Sequence, residues 1–270
     1  MDPQLLIFLY IMLSLIGLLP IKDRRARERA FPWMTATLVV INVLVHLGVT
    51  YAVYWDAPPA QDVPNWLPLY PYMQVSGLIM NAEGLGALSV LTSTFLHADF
   101  SHLLWNMFYL WFFGRKVEDS TGSLRFLIFY LLCGFMAGFV TAMASTTLLP
   151  EHARIPGLGA SGAIAGVMGA YLFLYSEQRI FTLPTLQFYT LSEFCFIPVP
   201  IPIPLWLPAW VFLVYRFLQD AILAQLVVEM AEQGFPLNLG VGVFAHLGGA
   251  LGGLVLIYFF IHPEVMAQRR

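Results

Sequence analysis

Apolar residues along this chain fall in long runs that do not alternate with polar positions. Seven stand out: Leu5–Leu19, Trp33–Tyr54, Leu103–Gly114, Leu124–Leu149, Ser161–Tyr175, Leu207–Val228 and Val241–Ile261. A helix needs about 20 apolar residues to cross the hydrocarbon core, and these runs qualify or come close. A membrane barrel requires alternating strands, whereas these runs are apolar on every face, so helices are the expected spanning elements. The first run has no basic flank before it and no small-residue cleavage site, so it reads as a retained anchor helix rather than a signal peptide.

Composition removes the soluble alternative. Of 270 residues, 59% are hydrophobic and 11% charged, against roughly 25% charged in an ordinary soluble domain. A net charge of −3 offers no basic patch for nucleic acid. Cys133 and Cys195 stand alone in apolar stretches and read as buried thiols, not as a metal or disulfide framework. Lys and Arg accumulate in cytoplasmic loops. Lys22, Arg24, Arg25, Arg27, Arg29, Arg115, Lys116, Arg125, Arg179, Arg269 and Arg270 all fall inside if seven spans start from an outside N-terminus. The long outside loop from Asp56 to Ser93 carries Trp66, Tyr70 and Tyr72, which suit the bilayer interface. Proline at 198, 200, 202 and 204 forbids a helix there and predicts an extended connector.

Polar side chains in spans are costly, so each is a candidate for function. His102 and Asn106 are four apart and share a helix face near the outside end of the third span. Such a pair suits an oxyanion; it equally suits hydrogen bonding between helices. Ser161 opens a span amid Gly157, Gly159, Gly162 and Gly166, either as a nucleophile at a helix start or within a small-residue packing seam. His246 lies at a similar depth in the last span, followed by Gly249 and Gly253, which allow close approach of a neighbouring helix. If that neighbour carries Gly162 and Gly166, His246 can reach the Ser161 hydroxyl. Arg216 and Asp220, four apart in the sixth span, read as a structural pair.

The runs HADFSHLLWN (97–106), GASGAIAG (159–166) and AHLGGALGG (245–253), with PIKD…FPWMT upstream, resemble the rhomboid intramembrane serine proteases over roughly Pro20 to Ile261. The resemblance implies an all-α polytopic membrane protein. Residues 1–21 would be an extra N-terminal transmembrane anchor helix, and residues 22–270 a six-helix rhomboid-type catalytic bundle. It implies Ser161 as nucleophile, His246 as general base and acid, and His102, Asn106 and the Ser161 N–H as the oxyanion hole. His97 and Glu118 match structural positions near the site, with Gly159, Gly162, Gly249 and Gly253. The family works with a dyad, and no acid in this sequence is an evident third member; Asp99 reads as a loop residue. Leu88 and Ser89 stand where members often carry Trp-Arg, and Ala165 where an aromatic often packs on the base.

The expected activity is hydrolysis of peptide bonds in transmembrane segments of single-pass or multi-pass membrane proteins. No cofactor, metal or nucleic acid is expected; the partners are those substrates and the lipid bilayer. The alternatives are an inactive relative that captures helices and a transporter using His97, His102 and His246. The expected compartment is a bacterial inner membrane with the site toward the extracytoplasmic face, and the fifth-to-sixth connection with Leu207–Val228 is the expected mover for substrate access.

Overall fold

The computed structural model describes residues 3–24, 30–53, 67–189, 196–234 and 241–262. Arg25, Arg27, Arg29, Asp56, Trp66, Cys195, Arg269 and Arg270 from the sequence reading lie outside them. The chain begins with α1 (Pro3–Ser14), β1 (Ile16–Asp23) and α2 (Trp33–Tyr51). A 3-10 turn (Leu67–Tyr72), β2 (Gln74–Val75), α3 (Ser76–Met80) and α4 (Leu88–Ser93) follow. Next come α5 (Phe100–Tyr109), a π-turn (Leu110–Gly114), α6 (Arg115–Thr121) and α7 (Ser123–Thr147). Then β3 (Pro156–Gly157), α8 (Ser161–Tyr175), β4 (Arg179–Tyr189), β5 (Phe196–Pro200), β6 (Leu205–Pro208), α9 (Ala209–Glu232) and α10 (Val241–Phe260) complete it.

This is a mostly helical, polytopic membrane protein. Helices α2, α7, α9 and α10 are each long and apolar enough to cross a bilayer, and α5 runs through its π-turn into α6 as one element. Large apolar side chains such as Leu44, Leu124, Leu251 and Phe259 are exposed, as lipid-facing surfaces require. The centre is α8, which has twelve of its 15 residues buried. At 1.5 Å per residue it is only about 22 Å long, shorter than the ~30 Å hydrocarbon core. Its first residue, Ser161, is therefore set below the membrane surface if its other end reaches the interface.

Two features depart from the sequence reading. The run Leu5–Leu19 is not one span: α1 stops at Ser14, and Ile16–Asp23 pair antiparallel with β4. Gly17 and Pro20 explain the break, since neither supports a helix interior and Pro20 also pushes its predecessor toward extended backbone. Within residues 1–21, expected as an anchor, α1 packs on α9, where Leu13 O accepts from Tyr215 Oη and Gln219 Nε2, and the strand β1 follows it. That sheet is the second departure. β4 pairs with β1 on one side and with β5 and β6 on the other, beyond the end of α8 opposite Ser161. The prolines at 198 and 200 sit in its outer strand β5, where a missing N–H costs least.

Asp23, the last residue of β1, is driven into the bundle. Its carboxylate lies 3.4 Å from Lys116 Nζ and accepts from Tyr171 Oη at 3.2 Å, with both ionic side chains nearly sealed from solvent. Lys116 is thus a buried partner and not one of the loop cations counted for orientation. Removing one member of a buried pair costs about 3–5 kcal/mol, because the other charge loses its compensation. Asp23→Ala is expected to lower the thermal midpoint in detergent clearly, whereas Glu151→Ala on the exposed rim should not; equal midpoints would show that the pair contributes nothing.

Candidate active site

The site begins with how two helices start. Asp99 is the N-cap of α5, and its carboxylate accepts the His102 N–H at 2.8 Å. On the helix so capped, Asn106 is buried and His102 half-buried, both beside Gly159 in the loop before α8. Helix α8 starts at Ser161 with no side-chain cap, so its first amides are presented at the positive end of the helix dipole.

Gly159 joins these two ends. Its φ of +123° lies where L side chains rarely go, and its N–H donates to Ser93 O at 2.9 Å. A Cβ on Gly159 would lie 2.8 Å from His102 Cε1 and 3.8 Å from Asn106 Nδ2. The absence of a side chain therefore lets the loop before Ser161 press against the His102–Asn106 face. The Asn106 amide nitrogen is buried and donates to no acceptor among the described residues, a costly state unless the donor serves something that binds there.

The second constraint is the α8–α10 seam. A Cβ on Gly249 would overlap the Gly162 carbonyl oxygen, and one on Gly253 would overlap that of Gly166. Both pairs are four residues apart, so the two helices run parallel with their backbones in contact. Counting back three residues from Gly249 reaches His246, and one from Gly162 reaches Ser161. The seam thus sets both side chains at the same end of the bundle. Helix α7 completes this core, with Ala137 against Gly162 and the buried Cys133 against Gly166.

Ser161, His246, His102 and His97 line one cavity of about 550 Å³, together with Gly159 and with His46 of α2. Its walls come from α2, α4, α5, α7, α8, α10 and the loops between; no described residue of α9 lines it. The helix expected to move for substrate access is therefore not a wall of this cavity. His97, in the turn before α5, packs edge-on to His102 at 5.2 Å between ring centres. Burial pushes its imidazole down to about 3, with His102 and His46 adding to the shift, so it is neutral at ordinary pH.

Glu118 lies away from the cavity, at the other end of the α5–α6 element. Its carboxylate accepts from the Met34 and Thr35 N–H groups, from Thr35 Oγ1 and from Ser123 Oγ, so it ties the first turns of α2 and α7 to α6. The sequence reading did not single out His46, and it treated Asp220 only as a partner of Arg216. Asp220 does pair with Arg216, at 2.8 Å, but its other oxygen lies 3.3 Å from His246 Nδ1. The signal available in the sequence was an ionic pair inside an apolar span, which needs a reason to be there.

A family model described as "Rhomboid domain" matches residues 86–263. "Rhomboid protein 1, mitochondrial" of Saccharomyces cerevisiae is 30% identical over 231 residues, covering 83% of this chain and 54% of the relative. "RHOMBOID-like protein 6, mitochondrial" of Arabidopsis thaliana is 29% identical over 255 residues, covering 85% and 69%. "Rhomboid protease GluP" of Bacillus subtilis is 39% identical over 97 residues, covering 36% and 18%. The chain thus spans about half the length of the yeast relative. The family match extends over well more than half of the chain and takes in the helices bearing His102, Asn106, Ser161 and His246, so this chain belongs to the rhomboid family.

Proposed function

We propose that this protein is an intramembrane serine endopeptidase that cleaves transmembrane segments of other membrane proteins with Ser161 and His246. The observation that carries the reading is convergence: Ser161, His246 and His102 line one cavity, with Asn106 one turn along from His102 and beside Gly159, held by the glycine contacts of α8 with α10 and of Gly159 with α5. A helical substrate shields its carbonyls, so it must unwind locally to present one. Ser161 Oγ attacks that carbonyl carbon while His246 accepts the hydroxyl proton. The resulting anion is stabilised by Asn106, His102 and the first N–H of α8. The C–N bond then breaks, with His246 returning the proton to the leaving amine, and water entering the cavity hydrolyses the acyl-enzyme.

Two relatives carry "protease" in their names, from Bacillus subtilis. Others are named as mitochondrial or chloroplastic, so the bacterial inner membrane expected from the sequence draws no support from them. The assignment to a membrane stands at the coarser level. The site is proposed to face away from the basic side, because Ser161 opens α8 and Arg179 follows its other end.

The test is labelling of detergent-purified protein with a fluorophosphonate probe, which marks only a base-activated serine. Wild type is expected to label, and Ser161→Ala and His246→Ala are not. A folded wild type that stays unlabelled would favour an inactive helix-capturing relative. Asn106→Ala is expected to label but to cleave about 10²–10³ times more slowly, the usual loss for one oxyanion donor; an unchanged cleavage rate would remove Asn106 from the oxyanion hole.

A further inference from the structure

We propose that Asp220 is a positioning residue for this reaction, holding His246 in the orientation and tautomer that let it take the Ser161 proton. This rests on the reading of Ser161 and His246 given above. The imidazole of His246 stands between two environments. It lines the cavity that contains Ser161, and its Nδ1 faces Asp220 Oδ2 at 3.3 Å, on α9 and outside the cavity. The Asp220 side chain is 6% exposed, and Arg216 Nη1 holds its other oxygen at 2.8 Å.

Arg216 and Asp220 are four apart and so share one face of α9. A carboxylate so deep in a membrane bundle is costly without compensation. Arg216 supplies a counter-charge on Oδ1, while Oδ2 and the His246 Nδ1 3.3 Å away are both buried and make no hydrogen bond among the described residues. An acceptor at Nδ1 selects the neutral tautomer whose lone pair is on Nε2, and it stabilises the imidazolium once the proton arrives. The proton moves from Ser161 Oγ to His246 Nε2 as the Oγ–carbon bond forms. It passes to the leaving amine as the C–N bond breaks, and Asp220 keeps its negative charge throughout. On α8, the residue one turn after Ser161 is Ala165, which has only a methyl to offer the imidazole. Asp220 supplies the restraint that this methyl does not.

The experiment compares wild type with Asp220→Asn, Asp220→Ala and Asp220→Glu. It reads single-turnover cleavage of a transmembrane peptide in bilayer nanodiscs, the fluorophosphonate labelling rate, thermal unfolding, and 15N spectra of protein labelled at histidine ring nitrogens. His246→Gln assigns the His246 signals. Asp220→Asn is expected to lower the cleavage rate constant about 100-fold, within the usual range for acid–base catalysis, with KM changed less than about twofold and the fold intact. Asp220→Glu should recover at least about tenfold over Asp220→Asn, because a carboxylate is restored. Wild type should show the Nδ1–H tautomer at His246, and Asp220→Asn should lose it. Wild-type rates and tautomer in folded Asp220→Asn would overturn the proposal. Should the variants fail to fold, an Nε2–H tautomer in wild type would overturn it alone, and an Nδ1–H tautomer would support it. An unlabelled, inactive wild type that still shows Nδ1–H would refute the protease reading while leaving the positioning contact standing.

Discussion

Replacing Ser161 or His246 by alanine is expected to leave only a small residual cleavage of a transmembrane substrate, and replacing both is expected to do no further harm. The two side chains act as one unit: without the base the hydroxyl is a weak nucleophile, and without the hydroxyl the base has no proton to take. In serine proteases generally, loss of either member costs about 10⁶ in kcat, and removing the remainder of the unit adds little. The common entrance of both side chains to one cavity is the local reason to expect the same here. The measurement is cleavage of a reconstituted transmembrane peptide by the two single variants and the double variant, at saturating substrate. Three equal residual rates support the dyad. A double variant slower than either single by the product of their effects would mean that the two groups act independently.

Gly253→Ala is expected to be far more damaging than its size suggests. The added methyl would overlap the Gly166 carbonyl oxygen, an atom of the α8 backbone that no rotamer change can move. Helices α8 and α10 must then separate, and the seam that sets Ser161 and His246 at one end of the bundle opens along its length. Overpacking a core commonly costs about 1–3 kcal/mol, and a backbone-to-backbone clash belongs at or above the top of that range. Gly48→Ala adds the same methyl to α2, where nothing lies within 4 Å, and should cost nothing. Thermal unfolding in detergent and the fluorophosphonate labelling rate of the two variants form the check. Equal midpoints and equal labelling would show that close helix approach is not what builds the site.

The boundaries of the long spans were readable because lipid imposes a length and a polarity on them. Ser161–Tyr175 coincides with α8, and Val241–Ile261 and Leu124–Leu149 end within two residues of α10 and α7. The break in Leu5–Leu19 was written in Gly17 and Pro20, but a count of apolar residues weighs both as neutral members of the run. The sheet was less accessible still. β4 finds three partners, β1 from far upstream and β5 and β6 from the segment that follows it, and register between remote strands is settled by pairing rather than by local pattern.

The site shows the same division. His102 and Asn106 sharing a helix face, Ser161 at a helix start, and glycines spaced to admit a close neighbour all follow from 3.6-residue geometry acting on local sequence. Local sequence therefore determined which residues are candidates for chemistry and that the chain lives in a membrane. Which neighbour met the Gly249–Gly253 face, and that α9 rather than α5 would bring an acid to His246, depended on the packing of helices distant in sequence. Apolar faces of similar width can pack against several partners, and only the assembled bundle selects among them. That selection brought Asp220 within 3.3 Å of His246 Nδ1, across 26 residues of chain.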